Sequence, residues 1–256
     1  MENYFCVSLP AFEDNYIHIL VNRQKSACLV IDPGTSDPVI DFIESWSARE
    51  ASSGGPLQLN GVLMTHQHSD HIEGALGLKA VYNCPLFAPQ GHRAQIPFAD
   101  SYVSEGTVVE LNGFNLKTWE IPGHTLGHVG FWEPNRKWFF CGDTLFGLGC
   151  GRLFEGTPEM MFRSLGRIRE LPENTLLFCA HEYTEANLKF SMDQNSGLDY
   201  EFLATWIQKR RGAGLPTVPT TIEREKQFNL FIRANSVEEF ARLRAARNQF
   251  KDLVSV

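Results

Sequence analysis

The sequence predicts an α/β fold in which a sandwich of strands and interposed helices is followed by a smaller, all-helical part. Three observations predict it. Over residues 1–181, short apolar or alternating runs recur between turn residues, with a few helices among them, and that is strand texture. After His181 the strand signal nearly vanishes and helical spacing takes over. The charge divides at the same place: residues 1–181 carry 12 Lys/Arg against 20 Asp/Glu, and residues 182–256 carry 11 against 10. Strands first, with helices between them, suit a layered sandwich. The expected domains are 1–181 and 182–256.

Residues 4–9, 16–21 and 27–31 are rich in Val, Ile and aromatics and read as strands. Asp32-Pro33-Gly34 ends the third with turn chemistry. Residues 38–48 have helical spacing through Val39, Phe42, Ile43 and Trp46, and Ser53-Gly54-Gly55-Pro56 breaks it. Residues 59–64 read as a buried strand and 72–78 as a short helix carrying two glycines. Strands are expected at 107–111, 114–121, 128–132 and 137–141, then an amphipathic helix at 158–170 with Thr157 as cap and Pro158 first. Residues 175–180 give a last buried strand, and 184–193, 198–212 and 236–248 read as helices.

The chain has 256 residues, 43% hydrophobic and 21% charged, with a net charge of −7. That is ordinary for a globular protein and argues against nucleic-acid binding. No apolar run reaches the ~18–20 residues that span a bilayer, and residues 1–10 lack the basic and apolar regions of a signal peptide. Six cysteines at 6, 28, 84, 141, 150 and 179 form no C-x-x-C pair, which fits free thiols in a reducing compartment. A cytoplasmic monomer is expected, with no membrane and no nucleic-acid partner.

The chemistry concentrates in Thr65-His66-Gln67-His68-Ser69-Asp70-His71, directly after the strand at 59–64. His66, His68 and Asp70 stand at i, i+2 and i+4, which in extended chain puts them on one side. His71 projects elsewhere and could reach a second ion. The chain has eight histidines, and three of them crowd here with a carboxylate. Imidazole with carboxylate suits Zn²⁺, Fe or Mn and leaves positions open to water. More donors stand at predicted strand ends: His124 after Gly123, Asp143 after Gly142 and His181 after Ala180. Strand ends at one edge of a sandwich are where convergent ligands gather.

His66-x-His68-x-Asp70-His71, Gly123-His124-Thr125, Gly142-Asp143-Thr144 and His181, in that order, resemble the ligand set of the metallo-β-lactamase superfamily. The neighbouring motifs are more specific. Gly142-Asp143-Thr144-Leu145-Phe146, Gly149-Cys150-Gly151-Arg152, Phe154-Glu155-Gly156-Thr157 and Ala180-His181-Glu182-Tyr183-Thr184 are similar to the glyoxalase II (hydroxyacylglutathione hydrolase) family. So are the opening Pro10-Ala11-Phe12-Glu13-Asp14-Asn15-Tyr16 and the tail Arg247-Asn248-Gln249-Phe250-Lys251. The resemblance spans essentially the whole chain.

It implies a metallo-β-lactamase-like αββα sandwich over 1–181 and a smaller C-terminal all-helical, substrate-binding domain over 182–256. It implies two divalent metal ions per chain, Zn²⁺ first, with Fe or Mn as alternatives. One ion takes His66, His68 and His124, the other Asp70, His71 and His181, and Asp143 bridges both together with a hydroxide. Two ions roughly 3.5–4 Å apart can share a carboxylate and a hydroxide, and zinc lowers the pKa of bound water to around 7. The implied reaction is hydrolysis of S-(2-hydroxyacyl)glutathione, typically S-D-lactoylglutathione, to glutathione and D-lactate, the second step of methylglyoxal detoxification. Asp70 and Asp143 are the carboxylates at the reacting centre. Glutathione is expected on Arg152, Tyr183, Asn187, Arg244 and Arg247, since guanidinium groups bind carboxylates bidentately. The eukaryotic form of the family has Lys, Tyr and Lys where Arg152, Phe154 and Arg247 stand, so the charges persist and one hydroxyl donor is lost.

Two other function classes compete. A persulfide dioxygenase would leave the helical residues 184–256 without a role, and a flavodiiron enzyme would need a flavin domain for which the chain is too short. A structural zinc module would close its coordination with four protein ligands, often cysteines. His128 is expected to orient or pack against the ligands rather than to ligate. Asp32 serves equally as a plain turn or as a support for a ligand histidine, and Cys141 and Cys150 are expected to be buried rather than nucleophilic.

Overall fold

Three antiparallel strands, β1 (Tyr4–Ala11), β2 (Asn15–Asn22) and β3 (Ala27–Ile31), open the chain in the computed structural model, which describes residues 3–50, 55–194 and 197–250. Ser53 and Gly54 of the predicted break, and Lys251 of the tail motif, lie outside the described residues. The chain divides into two compact units, residues 1–120 with 127–136 and residues 121–126 with 137–256.

In the first unit the sheet continues from β3 through parallel strands β4 (Gln58–Leu63), β5 (Leu86–Pro89) and β6 (Ser101–Val103). Parallel neighbours need crossovers, supplied by α1 (Asp37–Glu50) and by the pair α2 (Ser69–Ile72) and α3 (Ala75–Tyr82). Every residue of β2 and β3 is buried, as in strands covered on both faces. Ile17, Ile19, Val30, Val62 and Met64 form the core with Val39 and Ile43 of α1 and Leu78 of α3. An antiparallel meander follows: β7 (Val108–Leu111), β8 (Phe114–Glu120) and β9 (Val129–Glu133). Its first turn is Asn112-Gly113, at φ 53° and 83°, the two-residue turn that matches strand twist.

In the second unit β10 (Trp138–Gly142) precedes the short hairpin β11 (Leu145–Phe146) and β12 (Gly149–Cys150). After α4 (Pro158–Arg169), β13 (Leu176–Cys179) pairs parallel with β10. Thr157 caps α4 by accepting from Met160 N at 3.2 Å, with Pro158 at the first position. Helices α5 (Thr184–Asp193) and α6 (Glu201–Gly212) follow, then β14 (Thr220–Thr221) against β13, then α7 (Ile222–Phe228), α8 (Leu230–Arg233) and α9 (Val237–Gln249). Phe162, Phe190, Phe231 and Phe240 from α4, α5, α8 and α9 meet ring to ring.

The predicted helix at 72–78 is two helices, α2 and α3, parted at Gly74. A Cβ there would lie 2.4 Å from the Thr35 backbone, so only glycine allows the crossing. The strands β5 and β6, of four and three residues, are too short to show a period. Helices α7 and α8, of seven and four residues, fall in the stretch where no period is visible. They are held by their caps: Thr221 accepts from Arg224 N, and Asn229 from Phe231 N and Ile232 N.

Candidate metal centre

In the first unit, β4 runs into Met64, Thr65 and His66. Asp32, at the end of β3 with φ 54°, is buried and organises this corner. Thr65 donates to it twice, from N to Oδ1 and from Oγ1 to Oδ2, both at 2.7 Å. His71 Nδ1 lies 3.2 Å from Asp32 Oδ2. A carboxylate only accepts, so the Nδ1 proton of His71 points at Asp32 and Nε2 keeps its lone pair. The Thr65 hydroxyl hydrogen is spent on Asp32, so Thr65 Oγ1 accepts from His66 Nδ1 at 3.0 Å and His66 Nε2 is bare in turn. Such outer partners fix the tautomer of a metal-ligating histidine.

The bare nitrogens face other donors of the set. His66 Nε2 is 3.0 Å from His68 Nδ1, and His71 Nε2 is 3.4 Å from Asp70 Oδ2. Asp70 is not in extended chain as the i+4 spacing suggests. The turn of α2, which begins at Ser69 with His68 as its N-cap, redirects both Asp70 and His71. Asn15 donates to Asp70 Oδ2 at 2.9 Å, and Gly34 lies so close that a Cβ there would sit 2.0 Å from Asp70 O. His128 stacks on the His66 ring at 4.7 Å and 21°.

The second unit carries three donors. His124 Nδ1 donates to Arg152 O at 2.8 Å, which leaves its Nε2 bare 3.3 Å from Asp143 Oδ2. Asp143 Oδ1 is 3.4 Å from His181 Nε2, so each carboxylate oxygen faces a different imidazole. The ladder between β10 and β13 is irregular at Gly142, which has φ 48°, and this re-aims Asp143 off the strand. Gly151 packs against it, since a Cβ there would lie 1.9 Å from Asp143 O and 3.2 Å from His124 Nδ1. Nitrogen lone pairs facing carboxylate oxygens repel unless a cation or a ring proton stands between them. Imidazole and carboxylate donors with preset tautomers fit borderline divalent metals.

The residues expected to hold substrate all lie in the second unit. Arg152 is exposed, its guanidinium 5.8 Å from the Phe154 ring centre, and Phe154 meets His124 edge-on at 5.2 Å. Tyr183 stacks flat on His181, 4.8 Å apart at 4°, with Phe146 edge-on to both. Asn187 donates to Gly147 O at 3.0 Å and accepts from Arg247 Nε at 3.2 Å. Arg244 is 7% exposed and gives Nη1 to Cys150 O at 2.7 Å and Nη2 to Asn248 Oδ1 at 3.0 Å. Cys141 and Cys150 are buried. Burial pushes the Cys150 thiol up to about 11, with Arg244 pulling the other way, which is unsuited to a nucleophile at neutral pH. Glu225 and Asn229 hold the backbone of the segment after Asp143. Asn229 carries a signal as a cap residue before an apolar run, and no sequence pattern marks Glu225.

A family model for the metallo-β-lactamase superfamily matches residues 16–181, and one for the hydroxyacylglutathione hydrolase C-terminus matches residues 182–250. A hydroxyacylglutathione hydrolase from Bdellovibrio bacteriovorus is 42% identical over 250 residues, 94% of this chain and 96% of that protein. Another, from Vibrio campbellii, is 41% identical over 235 residues, 90% of this chain and 87% of that one. The crystal structure of ETHE1 from Myxococcus xanthus superposes with a TM-score of 0.70 at 21% identity, covering 97% of this chain and 92% of that one, which shows the shared metallo-β-lactamase fold. With both family models meeting at residue 181 and such relatives aligned nearly end to end, the chain belongs to the hydroxyacylglutathione hydrolase family of the metallo-β-lactamase superfamily.

Proposed function

We propose that this hydrolase cleaves the thioester of S-(2-hydroxyacyl)glutathione, S-D-lactoylglutathione above all, to glutathione and a 2-hydroxy acid, the second step of methylglyoxal detoxification. One observation carries this: relatives named for that activity align along nearly their whole length, through the helical C-terminal region as well as the ligand motifs. We further propose residues 1–181 as the catalytic domain and 182–256 as the substrate-binding one.

The proposed centre holds two divalent ions, Zn²⁺ first, with Fe or Mn as alternatives. His66, His68 and His124 take one, Asp70, His71 and His181 the other, and Asp143 serves both. Bound there, the ions would lower the pKa of a water to about 7 and polarise the thioester carbonyl. The chain's own part is preorganisation. Asp32 and Thr65 turn the Nε2 lone pairs of His71 and His66 inward, Arg152 O does the same for His124, and Asn15 holds one oxygen of Asp70. For the glutathione moiety, the Arg152 guanidinium is exposed to pair with a carboxylate and Arg247 is steadied by Asn187. Tyr183 brings a hydroxyl beside His181, and Arg244 keeps Nε without a hydrogen-bond partner. Among the described residues no helix is long and apolar enough to cross a membrane. The proposed setting is the cytoplasm, where six cysteines without a disulfide stay reduced, and the proposed state a monomer.

The test is hydrolysis of S-D-lactoylglutathione and oxidation of glutathione persulfide, assayed on one chelator-free preparation with metal analysis. Thioester turnover with about two ions per chain is expected. Persulfide turnover instead overturns the activity, and full thioesterase activity with one ion overturns the dinuclear centre.

A further inference from the structure

The β11–β12 hairpin and the residues after it join Asp143 to Arg152. Side chains from the helical region hold this backbone almost group by group. Asn229 Nδ2 donates to Phe146 O at 3.4 Å and Gly149 O at 3.0 Å. Asn187 donates to Gly147 O at 3.0 Å. Leu148 N donates to Glu225 Oε2 at 2.8 Å. Arg244 Nη1 donates to Cys150 O and, at 3.4 Å, to Gly151 O. All four side chains are buried, and Glu225 and Asn229 are wholly so.

Glu225 and Asn229 form the centre of this clamp. They stand at i and i+4, and Asn229 Nδ2 donates to Glu225 Oε2 at 2.8 Å while Thr220 Oγ1 donates to Oε1 at 2.7 Å. Leu148 has φ 58°, a left-handed conformation uncommon for a residue with a large side chain, and the amide it presents is the one the carboxylate takes. Burial pushes the Glu225 carboxyl above its usual range, so the fold tolerates a costly group here. The C-terminal end of the clamped segment adjoins two proposed ligands. Gly151 packs on Asp143, and the next carbonyl, Arg152 O, takes the Nδ1 proton of His124.

We infer that Glu225 and Asn229 are positioning residues of the metal centre: by fixing the backbone of residues 146–151, they aim Asp143 and His124. This rests on the ligand assignment proposed above. Neither side chain touches a proposed ligand directly, so the effect passes through the hairpin.

The experiment measures zinc affinity of the full chain. Apoprotein made by chelation is titrated with Zn²⁺ against a chromophoric chelator, for wild type, Asn229→Ala, Glu225→Ala and Glu225→Gln, with apoprotein melting followed in parallel. Asn229→Ala and Glu225→Ala are expected to lose about 10–100-fold in zinc affinity, the scale seen when outer partners of metal ligands are removed. Glu225→Gln is expected to stay near wild type, since its carbonyl still accepts from Leu148 and its amide can donate to Thr220. A role in folding alone would lower apoprotein melting and leave the zinc affinity of the folded variants unchanged, and that result overturns the inference. Should Glu225→Ala fail to fold, Asn229→Ala decides. Wild-type protein that takes no zinc overturns the ligand assignment and the inference with it; wild type with two ions beside variants of equal affinity overturns the inference alone.

Discussion

Three of the proposed ligand histidines have the far ring nitrogen held by a group outside the set. His66, His71 and His124 each give Nδ1 to an acceptor outside the set: Thr65, Asp32 and the Arg152 carbonyl. His181 has a different support, the flat Tyr183 ring at 4.8 Å and the edge of Phe146. Aromatic pairs of this kind contribute about 0.5–1.5 kcal/mol. On the proposed assignment Tyr183 has two separable roles, its ring stacked on the proposed ligand His181 and its hydroxyl for glutathione. Tyr183→Phe keeps the ring, so KM for lactoylglutathione is expected to rise with zinc affinity unchanged. Tyr183→Leu is expected to weaken zinc binding as well. Equal zinc affinity in the two variants would show that the ring serves substrate alone. The proposed donors stand out in the sequence because metal chemistry needs particular atoms at particular spacings. Their supports stand out less. Asp32 reads equally as a turn beside Pro33 and as a support for a ligand histidine, because its partners Thr65 and His71 lie 33 and 39 residues away.

At the scale of elements, legibility followed length and burial. The runs that became β2 and β3 are dense in Val, Ile and Leu because they are covered on both faces. The period of α4, with its Thr-Pro start, is equally plain. The i+4 placement of Asp70 misled because it assumed that extended chain continues past the strand, whereas α2 begins at Ser69. The stretch holding α7 and α8 gave nothing, because short helices owe their stability to caps and tertiary contacts rather than to a period. The last helix, α9, reads in the sequence as a basic arm for substrate. In the structure it also buries Phe240 against Phe231 and sends Arg244 to the carbonyls of Cys150 and Gly151. Ending the chain after Ser236 removes all of these together. The truncated protein is expected to lose thermal stability and zinc affinity in addition to showing a higher KM, because a buried aromatic such as Phe240 alone is worth ~3–5 kcal/mol on deletion. A rise in KM with stability and zinc content intact would mean that α9 acts on substrate only.

For the whole molecule, the proposed donors are spread from His66 to His181, a span over which an unfolded chain offers no preformed site. Ions held by such a set bind the native state and not the unfolded one, so they stabilise it by mass action, by about 4 kcal/mol for a site at a thousand times its dissociation constant. In a chain of this size a kilocalorie shifts the midpoint by roughly 2–4 °C. Chelation is therefore expected to lower the melting temperature by on the order of 10 °C. Added Zn²⁺ should restore it, whereas Mg²⁺, a hard cation that prefers all-oxygen sites, should not. The sign of the pH effect follows from the donors. Zinc needs neutral imidazoles and ionised carboxylates, so binding releases protons and the zinc-dependent part of the melting temperature should shrink as pH falls. Calorimetric scans with and without chelator across that range measure both effects. A melting temperature indifferent to chelation, in protein shown to have lost its metal, would mean that the two units are already as rigid without ions, and that the clamps from Asp32, Arg152 and the hairpin alone set the geometry of the centre.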